Sequence, residues 1–219
     1  MYLSKLILNP RNAGARGDAA RPYELHRTLM RGLDHAGEKR LLFRIEPERG
    51  PGGPVALVQT HARPDWSPLL ENGYLLRADG PRPFEPALRA GQRLRFRLVA
   101  NPTIKKKTPG KKHGARTPLI HPGENPKGYP SYMDWLRRKA EQHGFRVPAV
   151  QDAPFYTAPK RRGKNKPERY EKHEIPHFGV RFDGVLEVTD PERVARAVRQ
   201  GIGPAKAFGF GLLSLAPAR

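Results

Sequence analysis

A glycine-rich stretch near the C-terminus constrains the fold of this chain more than any other feature. Four glycines lie within the segment 201–211, which runs into an apolar segment that ends before Pro217. Glycine removes side chains from the backbone, so another part of the chain or a phosphate can approach closely. The amide N–H groups of such a loop can bind an anion, and Lys206 would add a positive charge. The alternative interpretation of this stretch is a tight turn before a last strand. The stretch lacks the residue order of a P-loop, so it does not indicate nucleotide hydrolysis.

The charge balance indicates a polyanionic partner. The 219 residues include 41 Lys and Arg against 21 Asp and Glu, which gives a formal net charge of +20. This excess is far beyond what solubility requires, and nucleic acid is the leading candidate. The chain has no cysteine, which excludes disulfides, thiolate metal sites and cysteine nucleophiles. No apolar run reaches the roughly 18–20 residues of a membrane span and no signal peptide is recognisable, so we expect a cytoplasmic protein without membrane contact.

The first half of the chain has the pattern of a ferredoxin-like domain. The predicted elements are a strand at 2–8, a Gly/Arg/Ala loop up to about Asp18, a helix from Pro22, strands at 41–45 and 55–59, a short helix within 65–76 and a strand at 93–100. The helix shows an apolar stripe at helical spacing, and the last strand alternates arginine with apolar residues. This β-α-β-β-α-β order predicts a first domain at 1–100.

The second half repeats this order less clearly. The predicted elements are a basic loop at 101–128, a helix at 132–143, strand segments at 145–150 and 155–157, a strand at 178–188, a helix with Asp190 as N-cap and a last strand at 210–215. We therefore predict an α+β protein of two tandem ferredoxin-like (RRM-like) β-α-β-β-α-β domains, the first at 1–100 and the second at 101–219.

Two basic runs lie in the second half, Lys105–Lys112 and Lys160–Lys166. Charge runs are usually solvated. The second run, however, lies between Phe155-Tyr156 and the predicted strand at 178–188, which favours a basic hairpin loop that enters a nucleic-acid groove. Its binding would weaken with salt, because each neutralised phosphate releases counterions.

Histidine is the first residue type to consider for chemistry, since the chain lacks cysteine and any paired-carboxylate motif. On the first predicted helix, Tyr23, His26 and Arg27 share one face, and Arg31 borders it. A phenol, an imidazole and guanidinium groups suit phosphodiester cleavage by an internal 2′-hydroxyl. One group removes the 2′ proton, another protonates the 5′ leaving oxygen, and arginine stabilises the charge on phosphorus. An ordinary helix surface is the alternative.

The other histidines are poorer candidates. His173 and His177 are four residues apart, but Pro176 between them argues against a helical metal pair. We predict no metal site.

Several segments, colinear from the first residues to the last, together resemble one family. They are Met1–Lys5, the Tyr23-x-x-His26 helix, Arg95–Pro102, Phe182–Leu186, Gly201–Lys206 and Gly209–Pro217. With these segments the chain resembles the CRISPR-associated endoribonucleases of type I-E systems, the CasE-type enzymes that process crRNA.

The resemblance implies a reaction, partners and roles. It implies tandem ferredoxin-like domains and cofactor-free, metal-independent cleavage of the CRISPR repeat stem-loop, which leaves a 2′,3′-cyclic phosphate and a 5′-hydroxyl. The enzyme would then stay on the hairpin of the mature crRNA as a subunit of Cascade, beside the other Cascade subunits. His26 is implied as the main catalytic residue and Tyr23 as its partner, with acid and base left open. Arg27 would contact the scissile region, and Arg31 would stabilise charge.

RNA binding is expected in two loops, the basic run Lys160–Lys166 and the glycine-rich stretch. The basic run corresponds in place to a groove-binding hairpin of the family. The residues expected to bind RNA are Lys160, Arg161, Arg162, Lys164, Lys166, Gly201, Gly203, Lys206, Gly209 and Gly211.

A non-catalytic RNA-binding protein with RRM-like domains is the alternative function. Composition and predicted fold suit both functions equally. The set of Tyr23, His26 and Arg27 and the resemblance favour the nuclease, and the intact Tyr-x-x-His pattern disfavours an inactivated relative that binds crRNA structurally.

Overall fold

The computed structural model of the protein describes residues 1–46, 52–106, 115–119, 130–156 and 177–218. The basic run Lys160–Lys166 and most of the run Lys105–Lys112 lie outside these residues. Within them, no helix combines the length and the apolar character that crossing a membrane would need.

Four strands of the N-terminal part form an antiparallel sheet. β1 (Tyr2–Leu8), β2 (Leu41–Ile45), β3 (Val55–Thr60) and β4 (Leu75–Pro83) lie in the order β2-β3-β1-β4. Alternation along the strands buries one set of side chains, and Leu6 on β1 is fully buried. This strand order is that of a ferredoxin-like fold.

Three helices accompany this sheet, α1 (Ala13–Ala19), α2 (Pro22–Met30) and α3 (Ser67–Glu71). The prediction of a loop up to Asp18 is wrong, because α1 forms there despite its two glycines. The Asn12 side chain accepts a hydrogen bond of 3.0 Å from the Ala15 amide, which caps the helix N-terminus.

The C-terminal part repeats the arrangement. β5 (Arg93–Ala100), β8 (Phe145–Tyr156), β9 (Phe178–Val188) and β10 (Leu213–Pro217) form a second antiparallel sheet in the order β10-β5-β9-β8. Helices α4 (Tyr132–Gln142) and α5 (Pro191–Gln200) contribute to its core, and β6 (Thr103–Lys106) pairs with β7 (Ala115–Pro118) in a separate hairpin. Asp190 caps α5 as predicted, since its side chain accepts the Arg193 amide at 3.0 Å.

The predicted α+β fold of two tandem ferredoxin-like units is confirmed, but one strand was assigned to the wrong unit. Arg93–Ala100 pairs with β9 and β10 and is the first strand of the second sheet. The last strand of the first sheet is β4, which the pattern did not predict. Its sequence contains Gly80, Pro81 and Pro83 and pairs with β1 through a register shift, so it lacks a strand signature. We therefore propose a domain boundary between Pro83 and Arg93 instead of at residue 100.

The C-terminal end of α5 docks on the first unit. Side chains beside β2 and β3 contact the last carbonyl groups of the helix. The contacts join Gln59 to Val198 at 2.8 Å, His61 to Arg199 at 3.1 Å and Arg40 to Gln200 at 2.8 Å. Since these carbonyls have no partner within the helix, the first unit supplies their missing hydrogen bonds. The glycine-rich loop begins directly after this docked helix end.

A network of ion pairs also joins the two sheets. Arg44 on β2 contacts Glu46 at 2.6 Å, and Glu46 in turn contacts Arg97 on β5 at 2.9 Å. Arg97 also contacts Asp183 on β9 at 2.6 Å. Arg44 further donates a hydrogen bond of 3.3 Å to the carbonyl of Leu212, just before β10. The network therefore fixes the second sheet against β2. It lies next to the glycine-rich loop, because Leu212 directly follows that loop.

Candidate active site

Helix α2 presents the predicted catalytic side chains. Pro22 occupies its first position, where the missing N–H costs nothing. Leu25 and Leu29 are fully buried and hold one side of the helix in the first core. Tyr23 is therefore free to project at the other side, with 47% of its surface exposed. His26 is half-buried on the same helix.

His26 lies against an aromatic ring of the first sheet. The centroid of its imidazole is 6.1 Å from that of Phe43 on β2, with an angle of 42° between the ring planes. Burial lowers the pKa of His26 below its ordinary value, so the imidazole is neutral at pH 7. A neutral imidazole has one nitrogen that donates and one that accepts, which suits proton transfer.

A ring from the glycine-rich loop stacks on Tyr23. The centroids of Tyr23 and Phe208 are 5.4 Å apart and their planes differ by 28°. The ring of His177, at the start of the β9 segment, lies 4.2 Å from Phe208, and burial lowers the pKa of its imidazole. Neither Phe208 nor His177 was predicted as part of the site. The sequence holds no signal for this contact, because the three rings come from distant parts of the chain.

The two arginines differ in their surroundings. Arg27 is exposed and forms an ion pair of 3.1 Å with Glu24 one turn earlier, so its charge is partly neutralised in the free protein. Such an exposed pair is worth at most about 1 kcal/mol and can exchange for a phosphate. Arg31 begins a short 3-10 turn after α2. Burial raises the pKa of Tyr74, and the positive charge of Arg31 opposes that rise. The catalytic role of Arg31 stays a prediction.

The glycine-rich loop is built for close contact between backbone segments. Gly201 and Gly211 adopt positive φ angles of 71° and 92°. A Cβ at Gly211 would lie 2.9 Å from the Ile202 carbonyl oxygen, and one at Gly201 would lie 2.9 Å from that of Gly211. The Ile202 amide donates to the Gly211 carbonyl at 2.9 Å, and the Gly211 amide donates to Val99 on β5 at 2.7 Å. These contacts support the tight-turn interpretation of the loop.

Part of the predicted anion site in this loop is used for internal hydrogen bonds. The amides of Gly201, Phe208 and Gly209 donate to backbone carbonyls at 2.8, 2.9 and 3.1 Å. Lys206 donates to the Gly203 carbonyl at 2.9 Å, and burial lowers the pKa of its ammonium group. RNA binding by the four glycines and Lys206 remains a prediction, and RNA would have to compete with these internal bonds.

The predicted basic loop Lys160–Lys166 lies outside the described residues, but the strands that lead to it are visible. β8 ends in Phe155 and Tyr156, which are 39% and 68% exposed. The Phe155 ring stacks on Phe210 at 6.3 Å, in the same row of rings as Phe208 and His177. The ends of both flanking strands therefore lie beside the glycine-rich loop. Across the described ranges, no group of three or more His, Asp or Glu side chains could hold a metal ion.

The fold and this site define a tandem ferredoxin-like protein with a Tyr-His helix next to a glycine-rich loop. A family model described as CRISPR-associated protein matches residues 1–217. The chain belongs to this family, as its motifs indicated.

Individual relatives are similar over the whole chain. The CRISPR-associated endoribonuclease Cse3 of Thermus thermophilus is 44% identical, with 99% of this chain and 100% of that protein covered. The CRISPR system Cascade subunit CasE of Escherichia coli is 30% identical with the same coverage. The solved structure of Thermus thermophilus Cse3 bound to an RNA representing a pre-cleavage complex is 42% identical, covers 99% of this chain and 98% of that one, and has a TM-score of 0.80.

Proposed function

We propose that this protein is a metal-independent endoribonuclease that cleaves the CRISPR repeat stem-loop in precursor crRNA. The observation that carries the proposal is the surface of α2, where Tyr23 stacks on Phe208 and His26 lies against Phe43, in a chain 44% identical to an endoribonuclease along its full length. The RNA-bound structure of a relative supports RNA as the substrate, as does the net charge of +20.

The proposed reaction uses the 2′-hydroxyl next to the scissile phosphate. The 2′ oxygen bonds to phosphorus while the bond between phosphorus and the 5′ oxygen breaks. One product ends in a 2′,3′-cyclic phosphate and the other begins with a 5′-hydroxyl. The 2′ proton must be accepted and the leaving oxygen must receive a proton, which requires one base and one acid within hydrogen-bond reach.

The protonation states of His26 and Tyr23 favour His26 as the base and Tyr23 as the acid. Because burial favours the neutral imidazole, His26 can accept the 2′ proton at its free nitrogen. The phenolic hydroxyl of Tyr23 is a proton donor that can protonate the 5′ oxygen. Arg27 exchanges Glu24 for the scissile phosphate and stabilises the charge that develops there, and Arg31 contributes a second positive charge nearby.

Binding would follow the shape and the phosphates of an A-form stem. The Lys160–Lys166 loop would contact the groove of the stem, and the glycine-rich loop would lie against the strand near the cleavage position. We further propose that the protein acts in the cytoplasm, stays on the hairpin of its crRNA product and joins the other Cascade subunits. The relative named as a Cascade subunit supports the last step.

The experiment that tests this function is incubation of the purified protein with a labelled stem-loop repeat from its own locus in the presence of EDTA. His26→Ala is assayed beside the wild type, and His35→Ala serves as the matched control. His35 is an exposed histidine of the same unit that contacts the carbonyl of Arg63. We expect one cut with a cyclic-phosphate end from the wild type and from the control, and a loss of at least about 100-fold for His26→Ala.

Binding to a stem-loop with a 2′-deoxy substitution at the cleavage position should be unchanged in both variants. Tight binding without cleavage by the wild-type protein would contradict the nuclease and support the non-catalytic RNA-binding protein. Equal cleavage by wild type and His26→Ala would contradict the assignment of His26.

A further inference from the structure

Tyr23 needs a partner to define the direction of its hydroxyl. The residue sits in the first turn of α2 with 47% of its surface exposed, so the first core cannot hold its ring. A side chain in such a position can exchange between rotamers on a fast timescale. The Phe208 ring, stacked at 5.4 Å and 28°, is the contact that restricts this motion.

Phe208 is itself held firmly. It ends the 3-10 turn Lys206–Phe208, whose Phe208 amide donates to the Ala205 carbonyl at 2.9 Å. Ala205 before the turn and Gly209 after it both adopt left-handed conformations, with φ angles of 60° and 81°. The ring of His177 lies 4.2 Å from that of Phe208. The turn therefore aims Phe208 at α2 through backbone geometry as well as through ring contacts.

The hydrogen bonds of the glycine-rich loop brace this turn from the second unit. The Ile202 amide donates to the Gly211 carbonyl, which joins the two ends of the loop, and the Gly211 amide donates to the Val99 carbonyl on β5. Within the loop, the Lys206 ammonium group donates to the Gly203 carbonyl at 2.9 Å. These bonds hold the loop in place, and the side chain that it presents to α2 is Phe208.

We propose that Phe208 is a positioning residue for Tyr23. Its ring holds the Tyr23 ring in the orientation that directs the hydroxyl toward the scissile phosphate, so the second unit completes the site on the first unit's helix. The inference rests on the proposed function, in which Tyr23 takes part in proton transfer. Stacking of two aromatic rings is sufficient for the effect, because an aromatic pair contributes enough free energy to change a population up to about tenfold.

The test measures cleavage under single-turnover conditions with saturating protein. Phe208→Ala removes the ring, Phe208→Leu keeps apolar volume without a ring, and Phe208→Tyr keeps the ring. Phe155→Ala is the matched control, because Phe155 belongs to the same row of rings but stacks on Phe210 and not on Tyr23. We expect rates about tenfold lower for the Ala and Leu variants, and rates near the wild-type value for the Tyr variant and the control.

Two further readouts separate positioning from a structural role. The dissociation constant for the 2′-deoxy stem-loop should not change in any Phe208 variant, so the loss appears in the rate alone. In a Tyr23→Phe background, where the hydroxyl to be directed is absent, Phe208→Ala should cause no additional loss. An equal loss in both backgrounds would overturn the inference, and so would a loss that Phe208→Tyr fails to restore.

The failure of this inference differs from the failure of the proposed function. If the wild type cleaves and Phe208→Ala cleaves at the same rate, Phe208 does not position Tyr23 and the nuclease stands. If the wild type does not cleave, both are overturned together.

Discussion

Removal of the Glu46 carboxylate should destabilise the protein through the arginine that it leaves behind. The Arg44 side chain is only 4% exposed, and its Nη2 and Nε atoms donate to Glu46 at 2.6 and 3.0 Å. Burial lowers the pKa of Arg44, and Glu46 is the main charge that opposes this effect. Among the described residues, the guanidinium in Glu46→Ala would keep hydrogen bonds to the carbonyls of Leu212 at 3.3 Å and Arg97 at 3.5 Å.

The magnitude follows from burial. Removing one partner of a buried ion pair costs about 3–5 kcal/mol, because a buried charge loses its compensation. The lower end applies here, since the Glu46 side chain is 17% exposed and Arg97 keeps Asp183 as a partner. We expect the free energy of unfolding to fall by about 3 kcal/mol, which for a chain of this size lowers the Tm by roughly 6–12 °C.

Urea denaturation followed by tryptophan fluorescence and circular dichroism is the assay. Trp66 and Trp135 are buried in the first and the second core, so the unfolding of both units is visible. Glu187→Ala is the matched control. Its carboxylate is similarly buried, at 20% exposure, and pairs with two arginines whose side chains are 68% and 69% exposed. Exposed pairs contribute at most about 1 kcal/mol, so equal losses in the two variants would refute the reasoning.

Three other perturbations have defined outcomes. The lowered pKa of His26 predicts a cleavage rate that is constant above about pH 6.5 and falls below it if His26 is the base. A rate that in a pH–rate profile falls as pH rises through this lowered pKa, below about pH 6.5, would instead make it the acid. Gly211→Ala should lower the free energy of unfolding by about 2 kcal/mol in urea denaturation, whereas Gly37→Ala, with nothing within 4 Å of the new Cβ, should be neutral. Lys164→Gln with Lys166→Gln should reduce the salt dependence of RNA binding by about one unit of log–log slope per phosphate contact in filter binding.

The lowered pKa of His26 also affects stability. Above the unfolded-state pKa of about 6.5 the residue is neutral in both states and contributes no pH dependence. As pH falls below this value, the unfolded chain binds a proton that the folded chain resists, so the free energy of unfolding decreases until the folded-state pKa is also passed. His143 and His177 have pKa values shifted in the same direction, for both of them mainly by burial, and add to the effect.

Local sequence patterns predicted the strands themselves better than they predicted which strands pair with each other. The alternation of Arg93–Ala100 identified a strand and its buried face, and Leu94, Phe96 and Leu98 are buried as expected. Alternation does not specify which strands lie on either side, so the strand was assigned to the wrong sheet. β4 was missed for the opposite reason. Its Gly and Pro residues remove the local signal, and its pairing with β1 makes it a strand all the same.

The sequence by itself determined the net charge, the fold class and the helix that carries Tyr23 and His26. These properties depend on composition or on contacts between residues a few positions apart, which periodicity and capping residues report. Only the tertiary structure decided that Phe208 stacks on Tyr23, that Phe43 lies against His26, and that Gly201 and Gly211 serve backbone contacts. Those contacts join residues that lie apart in the chain, so they exist only once the strands have paired and the helices have packed. The contact between Phe208 and Tyr23 also requires the docking of α5, which brings the two units together.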